Sequence, residues 1–358
     1  MTAGTQRKEK PTTGHATCQA IVIERPRQAT WREIELAPRQ PDSVIARTTM
    51  SAISSGTDMK TWRGEQHPDK LTYPCVPGYE NVGIVEEPGS WAPEFKKGDR
   101  VMINEIRKFG NVCSAWGGNT RIAIKDSTSA GDNDPMAKIP DNVSDVEAVL
   151  GYLACVSLKG IWKTPIREGD TVLVVGAGLV GISAMQIVKI LHPKTRVIAM
   201  ERHPFRLEIA RKFADEAILV DGTEEKTLGD MTNGKRADVI VECSGNLAVP
   251  GTLHRFLKDG GWSRHDRGGH IHLQGDYPGK LVFDDYHSWF VKNCTLSMTC
   301  AIYGEGKAQV LAWLSEGKLR LKDLPVEIWP VGKCQEAYEH YEKKNGDVFK
   351  IVFDWREA

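Results

Sequence analysis

What this sequence lacks narrows the field first. No run of about 18 apolar residues occurs, so no segment reads as a membrane-spanning helix. The opening stretch, MTAGTQRKEKPTTGH, is polar and has no apolar core of the kind a secretory signal needs; residues 1–16 are expected to form a disordered tail. Neither sign of charge is in excess: Lys plus Arg number 47 and Asp plus Glu number 47, so no net field draws the chain toward nucleic acid or acidic lipid. No CxxC pair is present, and most of the eight cysteines (Cys18, Cys75, Cys113, Cys155, Cys243, Cys294, Cys300 and Cys334) sit in apolar runs such as YLACVSL. That usage excludes a disulfide scaffold and predicts buried, reduced thiols in a cytoplasmic protein. Internal repeats and low-complexity segments are also missing.

What is there is enough chain, 358 residues, for about two domains. Residues 17–24 and 44–50 read as strands by their β-branched content, and 82–87, 99–103 and 120–125 have the spacing of a β-rich, barrel-like unit. The pattern turns helical over 145–163, with Asp145 expected as its cap. An α/β alternation follows: strands at 171–175, 196–201, 217–220, 238–243 and 270–275, with helices at 179–191, 204–214 and near 247–258. Helices over 307–317 and near 332–344 precede a last strand at 350–355. The expected class is therefore α/β, with a β-rich part, an α/β part and a C-terminal return to the first.

GAGLVG at 176–181 follows a strand and opens a helix. Gly176 permits a tight turn, Gly178 lets backbone approach a pyrophosphate, and Gly181 lets helix and strand pack closely. Leu179 and Val180 lie between them, at a helix N-terminus whose free N–H groups favour anions. Glu201, 20 residues past Gly181, ends the next strand, where an acid accepts hydrogen bonds from ribose hydroxyls. Its carboxylate would repel a 2′-phosphate, which points to NAD rather than NADP, although Arg202 and His203 follow at once and soften that preference. Ser244 and Gly245, at another strand end, are expected at the nicotinamide half of the crevice, or form an ordinary strand-end turn.

With SSGTD (54–58), PGYENVGIV (77–85), FKKGDRV (95–101), the glycine turn, DVIVECSGN (238–246) and FKIVFDW (349–355) in this order, the chain resembles the medium-chain dehydrogenase/reductase, or alcohol-dehydrogenase-like, superfamily. The resemblance implies a GroES-like catalytic domain from 1–160 and 301–358, a Rossmann NAD-binding domain at 161–300, and a homodimer. Lys350 matches a position where relatives carry a basic residue reaching the cofactor pyrophosphate; a surface lysine is the plainer reading. Where zinc-dependent members keep their catalytic ligands, this chain aligns Ser55, Tyr79 and Gly151, and only Cys113 stands where a structural zinc has four cysteines. Hydroxyls and a glycine do not replace such ligands, so no metal is expected.

Without a Lewis acid, a side chain must take the hydroxyl proton as hydride leaves. Tyr79 and Lys60 are expected to share that duty, with Thr57, Ser55 and Glu80 holding the network. This requires a lowered Lys60, by desolvation, or a Tyr79 lowered by a neighbouring ammonium. The alternatives are a tyrosine that fills the metal's space and a solvated lysine. Trp62, Arg63, His67 and Trp116 are expected at the rim of the site, as are His287 and Trp289, with packing as the competing role. Arg264, His265, Asp266 and Arg267 form a charged stretch that either borders the cleft or is simply solvated.

YPCVPGYENVGIV (73–85) and KFGNVCSAWGG (108–118) are similar to hydroxyethyl bacteriochlorophyllide dehydrogenases, and zinc-free relatives acting on sugars, cyclitols or natural-product intermediates fit equally. The function expected is a zinc-independent NAD-dependent dehydrogenase turning a secondary alcohol into a ketone. A quinone- or enoyl-type reductase and a non-catalytic NAD(H)-binding redox sensor remain as alternatives.

Overall fold

The computed structural model describes residues 16–66, 71–104, 106, 109–127, 135–344 and 346–357. The N-terminal tail expected to be disordered and His67 lie outside them.

The first part is built of short strands: β1 (Thr17–Arg25), β2 (Gln28–Glu35), β3 (Val44–Ala52), helix α1 (Thr57–Arg63), β4 (Cys75–Val76), β5 (Glu80–Glu87), β6 (Arg100–Met102), β7 (Cys113–Ser114), β8 (Ile122–Lys125) and β9 (Ala137–Lys138). β1 and β2 form a hairpin whose turn takes Arg27 to a positive φ of 61°. Helix α2 (Asp145–Lys163) then leads into the α/β part: β10 (Thr171–Val175), α3 (Leu179–Leu191), β11 (Arg196–Glu201), α4 (Pro204–Ala210), β12 (Glu216–Leu219), α5 (Glu224–Met231), β13 (Val239–Glu242), β14 (His270–Leu273), α6 (Tyr286–Phe290) and β15 (Thr295–Met298). The chain closes with α7 (Glu305–Ser315), β16 (Val326–Pro330), α8 (Cys334–Lys343) and β17 (Lys350–Asp354). The helix expected near 247–258 is a 3-10 turn over Pro250–Phe256, because Pro250 and Gly251 open it and oppose a regular α-helix.

Sheet order follows the apolar patterns. In the α/β part six strands pair in parallel, in the order β12-β11-β10-β13-β14-β15. The inner strands are apolar on both faces, TVLVV and VIVE among them, as a sheet covered by helices on both sides requires. The order reverses direction between β10 and β13, and such a switch point opens a crevice at the strand ends. The other strands make a four-stranded sheet, β2-β1-β4-β7, and a larger one, β16-β17-β3-β5-β6-β9, with β8 on β3. β17 thus returns from the C-terminal end to sit beside β3. This is the expected pairing of a GroES-like β-rich unit with a Rossmann sheet.

α2 joins the two parts. Its start is held by Ser144, not by Asp145: the Ser144 hydroxyl accepts from the Glu147 amide at 3.2 Å and Glu147 reaches back to Ser144. Such a reciprocal cap stabilises a helix by about 1 kcal/mol. Asp145 instead binds Arg100 and Thr49. The buried face of α2, including Leu150, Leu153, Ala154 and Leu158, shares one core with Val82 and Met102 of the first part and Ile182 and Met185 of α3. Among the described residues no helix is long and apolar enough to cross a membrane. All eight cysteines are free; Cys18, Cys75, Cys155 and Cys334 are buried, and Cys300 is exposed.

Candidate active site

Tyr79 is fixed by the backbone on either side of it. Gly78 has φ +94°, and a Cβ there would lie 2.7 Å from Asn119 Nδ2, so glycine is required. The Gly78 amide donates to Asp58 Oδ1 at 3.1 Å, and the Tyr79 carbonyl accepts from Asn104 Nδ2 at 2.6 Å. Reciprocally, the Gly118 amide donates to the Gly78 carbonyl at 2.6 Å, and a Cβ on Gly118 would stand 2.8 Å from that oxygen. The PGYEN and WGGN segments therefore interlock through small residues, which sets the Tyr79 ring edge-on to Trp116 with centroids 5.9 Å apart.

The Tyr79 hydroxyl pairs with Ser54 Oγ at 2.6 Å and donates to Thr57 Oγ1 at 3.3 Å. Of the two adjacent serines it is Ser54, not Ser55, that meets the phenol; Ser55 is exposed. On the far side the ring packs against Tyr152 of α2, centroids 5.1 Å apart. Gly151 faces elsewhere: a Cβ on it would point to Met102 Cε at 3.2 Å and Val310 Cγ1 at 3.4 Å. The α2 residue at this site is thus Tyr152, one position on from the glycine expected.

Electrostatics here run against a phenolate. Burial, then the carboxylates of Glu80 and Asp58, push the Tyr79 hydroxyl well above its ordinary range. The expected lowering by an ammonium does not appear: among the described residues no cation acts on the phenol, Lys350 Nζ pairs with Glu80 Oε1 at 2.6 Å, and Lys60 Nζ pairs with Asp276. The Lys350–Glu80 pair is sealed, and among the described residues Glu80 Oε2 has no hydrogen-bond partner. Burial raises the Glu80 carboxyl, and Lys350 opposes that rise. Lys350 is not the surface lysine of the plainer reading, and its ammonium is turned to Glu80. Asp58 accepts from the amides of Ser54 and Gly78, yet burial pushes it up to about 7.

The donor set does not fit a zinc ion. Ser54, Tyr79 and Tyr152 offer hydroxyls, Glu80 is held by Lys350, and Asp58 is held by two amides. Among the described residues no group of three or more His, Cys, Asp and Glu side chains is placed to hold a metal.

The glycine turn has the geometry a dinucleotide needs. Gly176 has φ +91°, and a Cβ on it would meet the Ser244 amide at 2.8 Å. A Cβ on Gly181 would lie 1.9 Å from the Gly176 carbonyl oxygen, whereas one on Gly178 would meet nothing within 4 Å. Leu179 is buried and Val180 partly so at the start of α3. Glu201 Oε2 accepts from the Ala177 amide at 2.7 Å, and Oε1 accepts from the amides of Arg202 and His203 at 2.8 and 2.9 Å. Oε2 keeps a lone pair for a ribose hydroxyl. Ser244 is turned back onto Glu242, to which Tyr277 also donates, and Gly245 has φ +64° beside Gly275. These residues fit a dinucleotide. Ser157 Oγ of α2 donates to the Val180 carbonyl at 2.8 Å. Tyr152 lies five residues earlier on the same helix, about 7.5 Å of rise, so the hydroxyl cluster is close to the glycine turn.

Other expected rim residues lie apart. Trp62 is buried, stacked on Tyr338 at 5.1 Å with its Nε1 donating to Glu342, which makes it a core residue. Arg63 pairs with Glu65. His287 is exposed on α6 beside Phe290, and Trp289 packs against His254 and Phe283. In the charged stretch Arg267 binds Asp170, Asp266 accepts from the Ser263 amide, and Arg264 contacts His265, so it is folded on itself and its surroundings. Ser54, Asp58, Tyr152 and Asp276 were not expected; Ser54 and Asp58 lie inside the SSGTD motif, whereas Tyr152 and Asp276 belong to none of the motifs that carry the resemblance.

Comparison with known families matches residues 40–133 to the alcohol dehydrogenase GroES-like domain and residues 180–262 to the zinc-binding dehydrogenase domain. L-Galactonate-5-dehydrogenase of Escherichia coli K12 is 24% identical over 352 residues, covering 94% of this chain and 99% of that protein. L-Threonine 3-dehydrogenase of Rhizobium johnstonii is 27% identical over 363 residues, covering 94% and 98%. A solved structure described as a short chain alcohol dehydrogenase from E. coli CFT073, complexed with NADH, superposes with a TM-score of 0.78 at 20% identity, covering 96% of this chain and all of that one. That likeness shows the shared fold.

Proposed function

From its two domain matches and full-length relatives, which support the alcohol-dehydrogenase-like superfamily, we propose that this chain is an NAD-dependent dehydrogenase that interconverts a secondary alcohol and a ketone without zinc. The observation carrying the proposal is the Ser54–Tyr79–Thr57 hydroxyl chain, whose central Tyr79 stands at a position the resemblance gives to a metal ligand. A bound nicotinamide supplies the hydride acceptor. Gly176, Gly178 and Gly181 shape its pyrophosphate seat, Glu201 takes the ribose hydroxyls, and Ser244 and Gly245 border its reactive half. Glu201, buried and already ordered by three amides, disfavours a 2′-phosphate and supports NAD over NADP.

The side chains then handle the proton. Tyr79 stays a neutral phenol and acts as a hydrogen-bond relay: it holds the substrate oxygen and passes a proton through Thr57, which is partly open to solvent. Lys60 and Asp276 span the cleft from α1 to the loop after β14. The relatives' names, a galactonate and a threonine dehydrogenase, favour a small polar hydroxy compound as substrate. A homodimer through β15 is part of the same reading, because β15 is the last strand of its sheet and exposes Leu296 and Met298. A sedimenting monomer at micromolar concentration would contradict that part.

The test is turnover of metal-stripped protein on a panel of secondary alcohols, polyols and hydroxy acids with NAD and NADP, followed by nicotinamide absorbance. NADH formation unaffected by chelator is the expected result. Tight NADH binding with no turnover on any member would replace the enzyme by a redox sensor.

A further inference from the structure

Cys75 opens β4 and Cys113 opens β7, and the two strands run parallel with Cys75 directly opposite Cys113. Opposed residues of neighbouring strands share a face of the sheet. Both thiols turn into one apolar cluster with Trp62, Tyr73 and Trp116. Cys75 is fully buried and Cys113 partly exposed, so a reagent reaches Cys113 first. Burial pushes the Cys75 thiol up, and its neighbour Cys113 pushes it further, which keeps Cys75 as the quieter thiol. Among the described residues no other two cysteines are paired in register. The proposed alcohol chemistry uses neither.

Their position gives them leverage. Cys75 stands four residues before Tyr79, and Cys113 three before Trp116. The amides of Ala115 and Gly117 both donate to the Val76 carbonyl, at 2.9 and 3.1 Å, so the two segments form one ladder leading to the Tyr79–Trp116 ring contact. Neighbouring strands lie about 4.8 Å apart, inside the Cα span of about 4.4–6.8 Å that a disulfide bridges, and bonding holds the two Cβ atoms about 3.8 Å apart, so a bond is within reach here and pins the ladder. A shift well under the width of a side chain at such a ladder is enough to change the Tyr79–Trp116 contact.

We propose that Cys75 and Cys113 form a reversible dithiol–disulfide switch, oxidised by a peroxide, that moves the Tyr79–Trp116 wall. Cys113 sulfur takes one peroxide oxygen as the O–O bond breaks, giving a sulfenic acid and releasing water or an alcohol. Cys75 sulfur then attacks that sulfur; the S–S bond forms, the S–O bond breaks and water leaves. The two thiols lose two electrons and the peroxide gains two. A dithiol reductant reverses the step by exchange.

The test treats the full chain with hydrogen peroxide and maps peptides without reduction, alongside C113S, C75S and W116F. The expected result is a Cys75–Cys113 linked peptide that dithiothreitol dissolves, with a reversible change in tryptophan emission that is lost in C113S and in W116F. No linked peptide, linkage confined to other cysteines such as Cys294 and Cys300, or linkage with no Trp116-dependent change would each overturn the switch. If C75S fails to fold, the partly exposed C113S still decides. None of these readouts depends on turnover, so they stand apart from the proposed dehydrogenase activity.

Discussion

Lys350 Nζ lies 2.6 Å from Glu80 Oε1 with both side chains closed to water, so each charge depends on the other for solvation. Lys350→Met is expected to cost about 3–5 kcal/mol, because it leaves Glu80 as an uncompensated buried charge whose second oxygen already lacks a donor. A carboxyl raised by burial contributes stability that is lost as pH rises. The variant's loss should therefore be larger at about pH 8 than at about pH 5, as read from urea unfolding at the two conditions.

Asp58 gives a second pH signature. Its folded value of about 7 exceeds that of an ordinary aspartate, about 3.9, so the folded state holds the extra proton in between. Stability is then fully present below about pH 4 and falls as pH rises through about 7, by an amount on the order of 4 kcal/mol. Asp58→Asn should lack this fall. At low pH it should be about 1–3 kcal/mol less stable than the parent, since its NH2 faces an amide donor where an oxygen of the neutral carboxyl can still accept. Unfolding midpoints across the range check both statements.

Tyr79→Phe removes the hydroxyl between Ser54 and Thr57 and should slow hydride transfer by about 10²–10⁴-fold in single-turnover measurements with any alcohol the panel identifies. Its effect on NADH affinity should be small. Because the phenol is held above its ordinary range, the parent's pH–rate profile should show no Tyr79 inflection near neutrality.

Two helical glycines separate a functional need from a tolerated one. Gly181→Ala places a methyl 1.9 Å from the Gly176 carbonyl oxygen, so the turn must open; a loss of about 1–3 kcal/mol and at least tenfold weaker NADH binding are expected. Gly229→Ala on α5 meets nothing within 4 Å and should be neutral or stabilise by about 0.4–1 kcal/mol. Thermal unfolding and NADH fluorescence titration distinguish the pair.

The nucleotide half was legible because its signals are local. Strand β10, helix α3 and strand β11 are continuous patterns of apolar residues bounded by a glycine turn, Gly-Asp and Pro-Lys, and their observed limits match the reading. The short strands β4, β7 and β9, two residues each, have no period to detect, and they exist only through long-range pairing. In the site, Tyr79 and Thr57 stood out by their place in a motif. Nothing in a string distinguishes Ser54 from Ser55, and a one-residue slip along α2 exchanges Gly151 for Tyr152, about 100° around the helix. Asp276 is 216 residues from Lys60, so their pairing follows from the approach of two sheets and has no local trace.

The separation of 270 positions from Glu80 to Lys350 also sets an order of events during synthesis. Glu80 leaves the ribosome long before its cation, and the whole parallel sheet is made in between. At typical elongation rates the wait is on the order of ten seconds to a minute. Through that interval β3 lacks its β17 neighbour and Glu80 its counter-charge. The parallel sheet with its glycine turn can form meanwhile. A chaperone that shields the β3 edge would act within that window.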